Sequence, residues 1–217
     1  MYLTDANIDN SIGLCEEISI KEDGRNYSQL CFDGVFMQIF QPLEPEDFAL
    51  VKDKQPSKNE LEDFCSKFDG AKKGSCLSES WPLYREELLN DPSELVKFCS
   101  RSETTQQDRC YLGLFYVLTA QFNFDVEKIQ NYCQRLPEER SSQCFANSAS
   151  RLIETDYSNI NKSVSLCSNT HSEEAEKVCF EELLQYSTYN FHAGSEQFYK
   201  LCNSLPEPWK ARCLTPI

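Results

Sequence analysis

Cysteines are the residues of this 217-residue chain whose chemistry is most constrained by spacing, because the twelve of them stand in six couples. Two cysteines close in sequence can form a disulfide, hold a metal ion as thiolates, or act as a redox-active dithiol. Four couples are separated by 11 positions, one by 12 and one by 16. The couples are Cys15 with Cys31, Cys65 with Cys76, Cys99 with Cys110, Cys133 with Cys144, Cys167 with Cys179, and Cys202 with Cys213.

The count and spacing favour disulfides over the other two chemistries. Zinc sites take four ligands, usually with cysteines two to four residues apart, and the chain has no Cys-x-x-Cys motif. Redox-active dithiols favour the same short spacer. An even number of cysteines is instead typical of an oxidising compartment, which predicts an extracytoplasmic location: periplasmic, cell-surface or secreted. A cytosolic protein with reduced thiols is the alternative.

Each couple is predicted to form its own disulfide. Closing a loop of this size stabilises a fold by about 3 kcal/mol in the chain-entropy model. The rival pairing joins the second cysteine of one couple to the first of the next, 23 residues later in the regular part of the chain. That pairing would leave Cys15 and Cys213 without partners, whereas pairing within couples uses all twelve.

Other groups that could do chemistry indicate no reaction. The two histidines, His171 and His192, stand in predicted corners or connections, where solvated polar residues are expected. Pairs of adjacent acids such as Glu16-Glu17 are typical of solvent-facing helix surfaces in an acidic protein. The sequence shows no phosphate-binding glycine loop and no calcium-binding loop. We therefore assign no catalytic, cofactor-binding or metal-ligating residue, and expect no enzyme activity and no cofactor.

A repeat positions the cysteines. The first cysteines of successive couples, from Cys65 to Cys202, are separated by 34, 34, 34 and 35 residues. Apolar residues recur one and four positions before most of these cysteines, which is the spacing of one helical face. A second apolar stripe follows each second cysteine. Each repeat is therefore predicted to be a first helix, a tight corner and a second helix, with Asn123 to Asp125 and Pro137 marking two helix starts.

The fold class predicted from this pattern is all-α. We expect a right-handed solenoid of about six antiparallel helical hairpins with a 34-residue repeat and one disulfide per hairpin. Residues 1–217 then form a single repeat domain. Residues 1–64 are its divergent first unit, with an acidic insertion around 41–60, and residues 61–217 hold the regular repeats, the last one incomplete. The insertion is predicted to be an exposed loop or a short extra helix, and it is either a special site or a tolerated surface addition.

Charge limits the partners. The net charge is −14, of which residues 1–64 carry −9 from 14 acidic and 5 basic side chains. Nucleic acid and anionic membranes need a basic surface, so neither is expected as a partner. No run of 18 or more apolar residues occurs, so no membrane insertion is expected either. A basic protein or a cation fits the charge better.

The two ends carry expectations of their own. The first residues lack the features of a signal peptide, so an exported protein would have Met1 placed before a mature chain or an excised domain. The last predicted helix stops four residues after Cys213. Because solenoid ends need a polar cap, we expect a neighbouring domain or a partner to cover Trp209 and Leu214.

Two segments resemble known proteins. The 34-residue helix pair is similar to the tetratricopeptide repeat in period, and Cys110-Tyr111-Leu112-Gly113-Leu114-Phe115-Tyr116 resembles the second-helix motif of Sel1-like repeats. That resemblance implies helical hairpins whose two helices are tied by a disulfide. The segment CFDGVFMQIF, residues 31–40, resembles a Cys-x-x-Gly-Val-Phe-Met stretch of prokaryotic extracytoplasmic or membrane-attached proteins of unassigned function. Neither resemblance implies a catalytic residue.

The function predicted from these features is an extracytoplasmic protein-interaction or scaffold module, because stacked hairpins offer extended binding surfaces. The first alternative is a small-ligand or substrate-binding protein, or an enzyme component, that uses a concave groove and the insertion around 41–60. The second alternative is a thiolate metal binder.

Overall fold

The chain is all-α, as its pattern predicts. The computed structural model describes the backbone of residues 4–21 and 24–215, and the side chains of these residues except 186–190. In these ranges extended pairing is limited to an isolated bridge between Ile20 and Asn26. The α-helices are α1 (Ile8–Ile18), α2 (Ser28–Phe40), α3 (Pro45–Val51), α4 (Leu61–Cys65), α5 (Gly70–Glu79), α6 (Arg85–Asn90), α7 (Pro92–Cys99), α8 (Thr104–Gln121), α9 (Val126–Cys133), α10 (Glu138–Thr155), α11 (Ile160–Ser168), α12 (Glu173–Asn190), α13 (Glu196–Ser204) and α14 (Trp209–Leu214).

Six disulfides join the helices into hairpins, which confirms the prediction of one bridge per hairpin. The hairpins are α1 with α2, α4 with α5, α7 with α8, α9 with α10, α11 with α12, and α13 with α14. The Cα atoms of the bridged cysteines are 5.4 to 5.7 Å apart, which is the usual separation. The bridges are Cys15–Cys31, Cys65–Cys76, Cys99–Cys110, Cys133–Cys144, Cys167–Cys179 and Cys202–Cys213.

Local sequence signals mark several helix ends. Asp125 caps α9, since its side chain accepts hydrogen bonds from the backbone N–H groups of Glu127 and Lys128. The side chain of Ser195 accepts one from Phe198 at the start of α13. Pro137 immediately precedes α10, at the N-cap rather than at the first helical residue. These helix starts are therefore encoded close to where they occur in the chain.

The chain divides into two compact units. Unit 1 comprises residues 1–90 and 94–110, and unit 2 comprises residues 91–93 and 111–217. In unit 1, α2 packs against α1 and α5. Its core contains Phe36, which meets Phe68 edge to face with ring centroids 5.1 Å apart, and Phe40, which meets Phe64 at 6.3 Å. Aromatic side chains therefore fill the space between the first two hairpins.

Unit 2 repeats one type of contact between successive hairpins. The aromatic residue that follows the second cysteine of a hairpin packs against an aromatic or imidazole ring, or against a guanidinium group, of the next hairpin. Arg140 lies over Tyr111 at 4.3 Å, the His171 ring is 6.3 Å from that of Phe145, and Trp209 stacks on Phe180 at 5.5 Å. These contacts join neighbouring repeats through the same position of the repeat.

Trp209 differs from its expectation. The sequence predicts that a partner or a neighbouring domain covers Trp209. In the structure Trp209 is only 8% exposed, because other residues of the same chain bury it. Phe180 packs on the indole ring, and the Arg212 guanidinium lies 4.7 Å from its centroid. Leu214 is 37% exposed.

Among the described residues, no helix is both long enough and apolar enough to cross a lipid bilayer.

Candidate interaction surface

The cysteines offer no free thiol in this structure, because all of them are in disulfides. A thiolate ligand or nucleophile would need one of these bridges to be reduced. Within the described ranges, no group of three or more histidine, cysteine, aspartate or glutamate side chains is arranged to hold a metal ion. The cysteines therefore act as structural cross-links here.

Both histidines lie at the surface. His171 Nδ1 is 3.3 Å from the hydroxyl oxygen of Ser141, but that serine is fully buried and cannot meet a substrate. His192 is exposed in the connection between α12 and α13. A nucleophile needs an adjacent base and access to its substrate, and neither histidine provides both.

Exposed apolar side chains are concentrated near the start of the chain. Of the eleven large apolar residues that the described part of the chain exposes, seven lie between residues 18 and 48, all in unit 1. Apolar side chains exposed in this number on one unit are candidates for a surface that binds another molecule. The seven are Ile18, Ile20, Tyr27, Leu30, Met37, Leu43 and Phe48.

The helix α2 presents an apolar strip to solvent. Its opposite face is buried in the unit 1 core through residues such as Phe32, Phe36 and Ile39. Leu30 is 60% exposed and Met37 is 45% exposed. Gly34 lies between them, and positions four and seven residues after Leu30 share its face of a helix. We call Leu30, Gly34 and Met37 the α2 strip.

The insertion after α2 is a short folded helix. Helix α3 is held by a capping box between Glu44 and Asp47, and Val51 at its end is buried. After α3, the Lys54 ammonium donates to the backbone oxygen of Asp5 at 3.1 Å. These contacts hold the segment in place. Phe48 on α3 is 57% exposed, and Leu43, two positions before the helix, is 81% exposed. The insertion thus adds exposed apolar residues to unit 1.

A polar cluster borders the α2 strip where α2, α5 and the first turns of α8 meet. Asp33 follows Leu30 by three positions, and one of its oxygens accepts hydrogen bonds from Gln29 at 3.1 Å and from Ser75 at 2.7 Å. Its other oxygen forms an ion pair with the Arg109 guanidinium. Ser75 is fully buried, so this network fixes the flank of α2 against α5. We call Gln29, Asp33, Gln41, Ser75, Glu79 and Arg109 the rim cluster.

Glu79 is the titratable member of the rim cluster. Its carboxylate accepts a hydrogen bond of 2.8 Å from the Gln41 side-chain amide. Burial and the nearby charge of Asp33 raise the pKa of Glu79 to about 7, although the Gln41 hydrogen bond and the Arg109 charge act in the opposite direction. Half of the Glu79 carboxyl groups are therefore neutral near neutral pH.

We expect Glu79→Gln to remove a pH dependence of stability. Because the folded-state pKa of Glu79 is raised, its stabilising contribution is complete below about pH 4.5 and is lost as pH rises through about 7. The variant should match the wild type near pH 4.5 and exceed it above pH 8 by a free energy of unfolding on the order of 3 kcal/mol. Urea unfolding at both pH values measures this.

Glu17→Gln is the matched control, since it changes an exposed carboxylate of the same unit. It measures the effect of removing one negative charge from the surface of unit 1, against which the effect of Glu79→Gln is compared. Stability curves for Glu79→Gln and the wild type that run parallel from acid to alkaline pH would show that Glu79 is not perturbed.

Each unit contains a small cavity. One in unit 1, of about 30 Å³, is lined by Gly70, Lys73 and Arg101 among others, and one in unit 2, of about 10 Å³, is lined by core residues such as Phe115. Pockets that enclose drug-sized ligands usually measure roughly 300–1,000 Å³. Neither cavity favours the small-ligand alternative.

Sequence reasoning identified the insertion as a special region but missed the α2 strip and the rim cluster. The segment containing the strip was singled out only by its resemblance to other proteins. The rim cluster contains an ion pair between Asp33 and Arg109, which is 76 positions later in the chain. A serine at a helix position next to Cys76, in a repeat that otherwise buries apolar residues, was the available signal for a buried polar contact.

Comparison with known proteins found no matching family model, no matching curated protein and no matching solved structure.

Proposed function

We propose that the chain is an extracytoplasmic protein-interaction module that binds its partner through the α2 strip and the neighbouring insertion. The observation that carries the proposal is the concentration of exposed apolar residues between positions 18 and 48. Four of them, Ile18, Leu30, Met37 and Phe48, lie on helices, so ordering these side chains on binding would cost little conformational entropy. The resemblance of the layout to Sel1-like repeats is consistent with this role.

The six disulfides support the extracytoplasmic part of the proposal. Bridges of this number persist in oxidising compartments and are rare in the cytosol of most organisms. Blocking free thiols in freshly lysed source cells, then reducing and labelling the bridged cysteines, measures the native redox state. Twelve labels added only after reduction are expected.

Photocrosslinking from the α2 strip tests the binding surface. A benzophenone amino acid replaces Met37, the full chain is produced in its source organism, and the cells are irradiated. We expect one predominant covalent adduct with another protein, because a partner seated on the strip lies within reach of the photoreactive group. Mass spectrometry of the adduct identifies both the protein and the segment that contacts Met37.

Tyr199 is the matched control position, since it is 50% exposed but belongs to unit 2. The adduct should be missing when the photoreactive group stands there. It should also weaken when Leu30→Ser is added to the Met37 photoprobe, because a polar residue removes part of the apolar contact. Equal labelling from both positions, or no adduct from Met37, would contradict the proposed surface.

A further inference from the structure

The rim cluster holds one more carboxyl group than it has cations. Asp33 and Glu79 are its two acids, and Arg109 is its only base. The Arg109 guanidinium is paired with Asp33, while the Glu79 carboxylate receives a neutral amide hydrogen from Gln41. Among the described residues, no cation lies within ion-pair distance of Glu79. An ionised Glu79 is therefore a partly buried charge without a partner of opposite sign, which is energetically costly.

Glu79 lies beside one end of the α2 strip. Gln41 follows Met37 by four positions, one helical turn, and is the C-cap residue of α2. Its side-chain amide bonds both the carboxylate and the backbone oxygen of Glu79, at 2.8 and 3.3 Å. A molecule that covers Met37 and extends one helical turn further therefore reaches Gln41, the hydrogen-bond partner of Glu79.

The net charge of the segment that contains the strip distinguishes among possible occupants. Residues 1–64, which include the strip and the insertion, carry a net charge of −9. A second copy of the chain would bring the same negative charge to the contact, and an anionic lipid surface would be repelled for the same reason. A cationic segment gains from both the general charge and the unpaired carboxylate.

We propose that the α2 strip binds a protein segment that carries apolar side chains three or four positions apart and a lysine or arginine that pairs with Glu79. This proposal rests on the proposed function and names the chemistry of its partner. The apolar side chains cover Leu30 and Met37, and Gly34 leaves room between them because no neighbouring atom lies within 4 Å of the position of a Cβ there. The cation completes the charge balance of the rim cluster.

The proposal couples binding to pH. The charged groups that face Glu79 are Asp33 from α2 and Arg109 from α8, and together they leave its pKa at about 7. About one Glu79 in eleven is then ionised at pH 6 and about ten in eleven at pH 8. If only the ionised form pairs with the cation, the apparent affinity rises about tenfold over this interval, in proportion to the competent fraction.

Binding of a defined peptide to the full chain tests the proposal. The probe is a short amphipathic helical peptide with leucines three and four positions apart and lysines flanking them, labelled for fluorescence anisotropy. The matched peptide has glutamate in place of each lysine. We expect the lysine peptide to bind about tenfold more tightly at pH 8 than at pH 6, and the glutamate peptide to bind much more weakly at both pH values.

Two protein variants separate the contributions. Glu79→Gln should bind the lysine peptide with an affinity that hardly changes between the two pH values, and Leu30→Ser with Met37→Ser should reduce binding at both. The ¹³C resonance of the Glu79 carboxyl group gives an independent readout in the unmodified protein. Its apparent pKa should fall when the lysine peptide is added.

Three results of the peptide experiments would overturn the inference. They are no measurable binding of the lysine peptide, equal binding of both peptides, and an unchanged pH dependence in Glu79→Gln. A Met37 crosslink to a partner whose contacting segment is acidic would also overturn it, yet would leave the proposed interaction function standing. Failure of the crosslinking experiment alone would instead remove the proposed function. Self-association of the chain through the strip, measured by sedimentation, would show that a second copy is the occupant.

Discussion

Replacing Cys65 and Cys76 together by alanine is expected to lower the free energy of unfolding of unit 1 by about 3 kcal/mol. The bridge closes a loop of 11 positions, and without it the unfolded chain gains conformational freedom. The effect should be large at this hairpin because α4 has only five residues, far fewer than an isolated helix needs. Both cysteines are fully buried, so their loss also leaves small cavities.

The two tryptophans allow this loss to be measured for one unit. Trp81 belongs to unit 1 and Trp209 to unit 2, so Trp81 fluorescence in a Trp209→Phe background follows unit 1 during urea unfolding. Ser66→Ala is the control, because Ser66 is an exposed neighbour of Cys65 and its loss should cost less than about 1 kcal/mol. A double-cysteine variant as stable as that control would show that the bridge does not hold the hairpin.

Phe36→Ala is expected to cost about 3–5 kcal/mol in the free energy of unfolding of unit 1. The Phe36 side chain is fully buried, and its ring meets that of Phe68 at 5.1 Å. Truncation removes a large apolar contact and leaves a cavity between α2 and the second hairpin, which the bridged helices can close only in part. Trp81 fluorescence in the same background measures the loss.

Met37→Ala is the matched control, one position along the same helix. Met37 is 45% exposed, so its truncation should change the free energy of unfolding by less than about 0.5 kcal/mol. The same variant should weaken partner binding, because Met37 belongs to the α2 strip. Similar stability losses from Phe36→Ala and Met37→Ala would mean that Phe36 is not on a core face of α2 and Met37 on a surface face.

The disulfides and the α2 strip have complementary roles. Short first helices such as α4 and α9 could not persist alone, and the bridges hold each of them against its second helix. A scaffold stabilised in this way does not depend on every apolar residue for its core. Some apolar side chains, including Leu30 and Met37, are then available for a surface role.

The amino-acid sequence by itself determined the helical hairpins and the couples of cysteines that the bridges join. Both are local properties: the corner residues, the capping residues such as Asp125, and cysteines 11 to 16 positions apart act over one or two helical turns and a tight corner. Conformational entropy favours such short loops, so few alternative pairings compete. A repeated period strengthened the prediction because the same local pattern occurs many times.

The tertiary structure alone decided which face of α2 is exposed and which charges meet beside it. Helix α2 is apolar on nearly all sides, so its sequence period cannot distinguish Phe36 in the core from Met37 at the surface. The pairing of Asp33 with Arg109, and the burial that raises the pKa of Glu79, depend on helices brought together from three hairpins. Burial and long-range charge pairs are properties of packing, and a linear pattern holds no distances between residues that are far apart in the chain.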